Sequence, residues 1–92
     1  MPMKIRQQLT ITNKLGLHAR AAIKLVELAA MFDAEVMLIT EDKQASAASV
    51  LGLLLLERAQ GQQIVVECDG HDAQDALTAV RALIEARFEE QE

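Results

Sequence analysis

The segment Gly16-Leu17-His18-Ala19-Arg20 places a nucleophilic side chain, a fixed cation and a glycine side by side. His18 falls where a loop ends and an amphipathic helix begins. A helix start presents N–H groups without intrahelical partners and a partial positive charge, so it favours anions. The same charge disfavours an imidazolium, and the neutral ring is the nucleophilic form. A phosphoryl group taken up by His18 would meet the backbone N–H groups of Ala19, Arg20 and Ala21. The Arg20 guanidinium would add a charge-assisted contact. Gly16 would let a phosphate or a partner's backbone approach closely. Taken alone, these residues are equally those of a partly exposed histidine at an ordinary helix start. No carboxylate or serine stands near in sequence to complete a triad. A metal site would need more ligands than His18 and the distant His71. Glycine-rich phosphate loops are missing as well. The expectation is therefore no metal and no cofactor.

The elements that must position this segment follow from changes in hydrophobic period. Ile5, Gln7, Leu9 and Ile11 alternate with Lys4, Arg6, Gln8, Thr10 and Thr12, which predicts a half-buried strand. Asn13-Lys14-Leu15-Gly16 breaks it as a loop. From Ala19 to about Ala30 the spacing is helical, with Arg20, Lys24 and Glu27 opposite Ala22, Leu25, Val26 and Ala29. Met31 and Phe32 are expected to close the core at the helix end. Glu35–Thr40 predicts a second strand and Lys43–Ala47 a weak return strand. Ser49 should cap a leucine-rich helix over Val50–Ala59, with Gly61 as its stop. Gln63–Cys68 predicts a fourth strand, with Cys68 buried, and Asp69-Gly70 a turn. Asp72 should cap a last helix in which Ala76, Leu77, Val80, Leu83, Ile84 and Phe88 repeat at three and four. The polar end, Arg87–Glu92, is expected to fray. The order β-α-β-β-α-β-α predicts an α+β, two-layer open-faced sandwich. Its four-stranded, mainly antiparallel sheet would be covered on one side by three helices.

Composition narrows the function classes. Ninety-two residues suffice for one small domain, 1–92. Hydrophobic residues make up 51% but aromatics only 2%. The core must be aliphatic, and base stacking on single-stranded nucleic acid lacks its rings. The net charge of −5 argues against general DNA binding. A single cysteine forms no intramolecular disulfide. The short apolar stretch at Val50–Leu56 falls far below a membrane span, and Met1–Gln8 has no signal-peptide character. A cytoplasmic location is expected. The charge is unevenly placed: up to Phe32 the sum is +4, and beyond it −9. The positive third contains His18, Arg20 and Lys24.

The run Asn13-Lys14-Leu15-Gly16-Leu17-His18-Ala19-Arg20 resembles the active-site segment of the HPr family, the histidine phosphocarriers of the bacterial phosphotransferase system. The resemblance extends through Ser49-Val50-Leu51-Gly52, Ala59-Gln60-Gly61 and Ile64–Gly70, and so over nearly the whole chain. Asn13–Arg20, Phe32-Asp33-Ala34-Glu35-Val36 and the leucine-rich run after Ser49-Val50 resemble the nitrogen-related branch. The resemblance implies an HPr-like fold. It implies phosphorylation of His18 on Nδ1 by an enzyme I-type protein, transfer onward to an EIIA-type protein, and Arg20 as the positive neighbour. Such a protein is a carrier rather than a turnover enzyme, with neither nucleic acid nor membrane insertion, and nothing in it demands more than a monomer. The family usually has proline where this chain has Ala21. Ala21 suits a first helical turn and restores one donor near the anion site. In HPr-like proteins the helix after Ser49 lies beside the histidine and docks partners. Leu17, Lys24, Val50, Leu51 and Leu54 are the implied docking residues here. Ser49 aligns with a serine phosphorylated in some members, and it is also a plain helix cap. A sugar-uptake carrier and a non-transferring regulatory module of the same fold are the alternatives.

Overall fold

Period-two segments pair with one another, and their apolar residues share a face. The computed structural model describes residues 3–91; Met1, Pro2 and Glu92, included in the expected domain, lie outside the described residues. Strand β1 (Met3–Thr10) leads through a loop to helix α1 (Ala19–Ala29). Strands β2 (Glu35–Ile39) and β3 (Gln44–Ser46) follow, then helix α2 (Val50–Leu54), strand β4 (Gln63–Gly70) and helix α3 (Ala73–Glu85). The sheet order is β1-β4-β2-β3, with antiparallel pairing throughout. The α+β open-faced sandwich expected from sequence is the observed fold.

Register explains the layering. Leu9 pairs with Ile64, Gln7 with Val66 and Ile5 with Cys68, while Val36 and Leu38 pair with Cys68 and Val66 from the other side. Residues on that face are covered by the helices, and β4 at the centre contributes the fully buried Val66 and Cys68. Gln7 alone brings a polar group to the face, and its Oε1 accepts from Arg81 Nη1 on α3 at 3.1 Å. On the opposite face Arg6 pairs with Glu67 at 2.5 Å. The edge strand β3 is only three residues long, which limits the unpaired backbone offered to other chains.

Several expected details differ. Helix α2 stops at Leu54 rather than Ala59. Leu53 and Leu56 both enter the core, and the chain turns tightly through Leu56 N–H to Leu53 O and Glu57 N–H to Leu54 O, with Glu57 left-handed at φ 54°. Gly61 is not the helix stop. It sits in the turn into β4, donating to Ile11 O at 2.8 Å. Asp69 and Gly70 continue β4 instead of turning, because β1 extends far enough to pair with them. Gly70 runs past Ala34 so closely that a Cβ would lie 2.8 Å from Ala34 Cα. Asp72 occupies the N-cap position of α3, but its side chain makes no capping bond; its carboxylate instead accepts from Asp33 and Ala34 N–H at 2.9 and 2.7 Å. Those backbone bonds outweigh desolvation and hold the Asp72 carboxyl below its usual range. Met31 is exposed rather than packed, and Phe32 is half-buried. Cys68 is buried as expected.

The polar C-terminal end does not behave as a frayed helix. After α3 the chain passes through a short turn, Arg87–Glu89, in which all three residues are left-handed at φ 58°, 54° and 66°. None is glycine, so each costs on the order of 1 kcal/mol. Phe88 is fully buried by this turn, a gain of about 2–3 kcal/mol and so of the same size. Lys24 Nζ on α1 also donates to Phe88 O at 2.9 Å and to Glu89 Oε1 at 3.1 Å. The tail is therefore plugged into the core by Phe88 and fastened to α1 by Lys24.

Candidate functional site

The loop from Ile11 to His18 is held by the segment between α2 and β4. Ile11 N–H donates to Gln62 O, and Leu17 N–H donates to Arg58 O, both at 2.9 Å. Gln60 Nε2 donates to Thr12 O at 3.1 Å. Gly16, at φ 68°, passes so near this segment that a Cβ would lie 2.4 Å from Arg58 O. The close approach that Gly16 permits is thus to the chain's own backbone, not to a partner or phosphate. Inside the loop, the fully buried Asn13 donates from Nδ2 to Gly16 O at 2.7 Å. These contacts set where α1 starts.

His18 occupies the N-cap position of α1, with extended backbone (φ −83°, ψ −179°) and no side-chain capping bond. Its C=O accepts from Ala22 N–H. Helix geometry leaves the N–H groups of Ala19, Arg20 and Ala21 without intrahelical acceptors. Arg20 is exposed, and no described residue pairs with its guanidinium. His18 and Arg20 share an open depression with Lys14, Leu15, Glu90 and Gln91. Ala21 is fully buried against the core.

The residue that sequence reasoning missed is Glu90. Its Oε2 contacts His18 Nε2, across 72 positions of chain. Its Oε1 accepts from Asn13 Nδ2 at 3.1 Å. Burial opposes the carboxylate charge. Hydrogen bonds from His18 and Asn13, with the charges of His18 and Lys24, outweigh it and hold the Glu90 carboxyl below its usual range. A triad-like carboxylate is therefore present, although none stands near His18 in sequence. No local signal marks it, because the left-handed turn that delivers it contains no glycine.

The remaining sequence-derived residues are distributed unevenly. Leu17 is only 4% exposed; the core takes it and leaves no surface for a partner. Lys24 is half-buried and engaged with the tail. On α2, Leu51 is exposed while Val50 and Leu54 are half-buried, and Leu55 is a further exposed leucine. Leu15, read from sequence as a simple loop residue, is exposed in the depression beside His18. Ser49 Oγ accepts from Gly52 N–H at 3.0 Å, as a cap does. His71 is exposed and lies 3.5 Å from Asp33. His71, Asp33 and Asp72 bring one ligand-type atom each within 4.8 Å of one another, but the Asp72 carboxylate already binds the Asp33 and Ala34 N–H groups. Burial, followed by the charges of Asp72 and Glu67, pushes the Cys68 thiol up to about 11. It is a packed neutral thiol rather than a nucleophile.

Comparison with known proteins bears on this site. The family described as "PTS HPr component phosphorylation site" matches residues 5–86. Phosphocarrier protein NPr of Shewanella violacea is 55% identical over 87 residues, which span 95% of this chain and 96% of that protein. Phosphocarrier protein NPr of Escherichia coli K12 is 49% identical over 89 residues, 96% of this chain and 99% of that one. The crystal structure of HPr-C-His from Thermoanaerobacter tengcongensis superposes with a TM-score of 0.91. It is 32% identical and covers 96% of this chain and 99% of that one. No helix among the described residues is long and apolar enough to cross a membrane.

Proposed function

This chain belongs to the HPr family of phosphocarriers, and from that premise we propose that His18 is the residue that carries the phosphoryl group. Its role places it in the phosphotransferase system, and relatives of the nitrogen-related branch, NPr, are similar to it over nearly their whole length. The single observation that supports His18 is its place at the N-cap of α1. There the N–H groups of Ala19, Arg20 and Ala21 lack intrahelical acceptors, and Arg20 lines the same depression as the nucleophile.

The chemistry is an in-line exchange between nitrogens. The lone pair of His18 Nδ1 forms a bond to the phosphorus of a phosphohistidine on an enzyme I-type donor. The donor's P–N bond breaks, and its electron pair returns to the donor imidazole. The reverse arrangement passes the phosphoryl group to an EIIA-type histidine. The helix start and Arg20 meet the dianion in an open depression. Modest stabilisation suits a carrier, since a tightly held phosphoryl group would not leave. Docking uses the exposed apolar side chains: Leu51 with the half-buried Val50 and Leu54 on α2, and Leu15 beside the histidine. The chain acts as a monomer in the cytoplasm, in a regulatory rather than a sugar-uptake system. Ser49 serves as a helix cap.

Incubation with phosphoenolpyruvate and a cognate enzyme I-type protein tests this reading. An acid-labile phosphate is expected that His18→Ala abolishes. A stable complex without phosphate uptake would instead identify a regulatory binding module.

A further inference from the structure

We propose that Glu90 is a positioning residue for phosphoryl transfer, delivered to His18 by the left-handed tail turn and backed by Asn13. The proposal rests on the reading of His18 as the acceptor and says which ring nitrogen is made ready and how. A carboxylate accepts hydrogen bonds and does not donate them. Glu90 Oε2 at Nε2 therefore fixes the proton of a neutral ring on Nε2. Nδ1 is left with the free lone pair, and no described residue hydrogen-bonds to it. When Nδ1 attacks phosphorus, the ring gains positive charge, and the Nε2–H of that cation already faces the Glu90 carboxylate. A carboxylate that orients a histidine and supports its charged form acts through the histidine rather than on the substrate.

Asn13 secures the carboxylate in turn. Both observed Nδ2 bonds go to anionic or carbonyl oxygens, Glu90 Oε1 and Gly16 O. Its Oδ1 is buried without a partner. Rotating the amide would turn Oδ1 against those two oxygens, so the orphaned oxygen is accepted to keep the donors in place. The tail is held independently of this contact, by the buried Phe88 and by Lys24 on the Phe88 carbonyl. Three consecutive left-handed residues without glycine persist because the plug and the lysine fix both sides of the turn. One loop, one helix start and the last described residues of the chain thus converge on a single imidazole.

Two measurements on wild type, Glu90→Ala and Glu90→Gln test the proposal. The first is the nitrogen-15 NMR signature of His18 in its neutral form. The second is the rate of phosphoryl uptake from a phosphorylated enzyme I-type donor. Wild type is expected to show Nε2–H as the dominant tautomer. Glu90→Ala should give mixed tautomers and uptake slower by about tenfold, with the fold retained by circular dichroism. Glu90→Gln offers one acceptor oxygen to two donors, His18 Nε2–H and Asn13 Nδ2–H, and no charge, so uptake should slow as in Glu90→Ala. A Glu90→Ala protein with a single Nε2–H tautomer and the wild-type rate would overturn the role of Glu90 while leaving His18 as the acceptor. A wild-type protein that takes no phosphate on His18 would overturn the acceptor reading, and the tautomer signature would still decide whether Glu90 holds the ring.

Discussion

The loop before α1 and the tail after α3 meet at the same histidine, yet they are built by opposite means. The loop is local. Asn13, Gly16 and His18 lie within a few residues, Asn13 Nδ2 reaches Gly16 O inside the loop, and Gly16 supplies the left-handed backbone that chain geometry demands. The tail is long-range. Its Glu90 contacts His18 from 72 positions away, and it bends through Arg87, Phe88 and Glu89, which are left-handed without being glycine. Local geometry leaves a mark in residue types, and tertiary anchoring does not.

Changes in each region separate the two designs. The largest effect is expected from His18→Ala, which should abolish phosphate uptake while leaving the fold intact by circular dichroism. Removing the tail plug comes next. Phe88→Ala should cost about 3–5 kcal/mol in urea unfolding and release Glu90, seen as mixed His18 tautomers. Gly16→Ala should cost about 2–3 kcal/mol, since the added Cβ meets Arg58 O and the left-handed backbone remains required. If Gly16→Ala unfolds like wild type, the loop is less tightly held than the Arg58 contact implies. Leu51→Asp should keep the fold and slow phosphotransfer from the donor, because Leu51 is exposed and the change acts on docking.

Acid should loosen the tail. The Glu90 carboxyl is held below its ordinary value of 4.5. A depressed carboxyl adds stability above its unfolded-state pKa, and that stability is lost as pH falls through the folded value. Between wild type and Glu90→Gln the difference in stability should therefore be present at neutral pH. It should vanish as pH falls below 4.5 and through the lowered folded value, as read by urea unfolding across pH.

Much of the fold was legible in the sequence because its signals are local. Alternation marked β1 and β4, helical spacing marked α1 and α3, and Ser49 capped α2 as its residue type suggests. The misreadings share a cause. Phe88 stands four residues after the buried Ile84, so it reads as one more helical core position. The helix ends at Glu85, and Phe88 reaches the core through the left-handed turn. Asp72 has the residue type of a cap, but the Asp33 and Ala34 N–H groups claim its carboxylate. Leu17 is apolar and adjacent to His18, yet burial removes it from any docking surface. The positive N-terminal third was legible as well. Its meeting with Glu89 and Glu90 was not, and the site is a balanced cluster rather than a simple basic patch.

The most direct test of the account identifies the phosphorylated nitrogen. Phosphorylated protein labelled with nitrogen-15 at histidine should show phosphorus coupling at Nδ1 of His18 and at no other ring nitrogen. Phosphate on Nε2, the nitrogen that faces Glu90, or on His71 would contradict it.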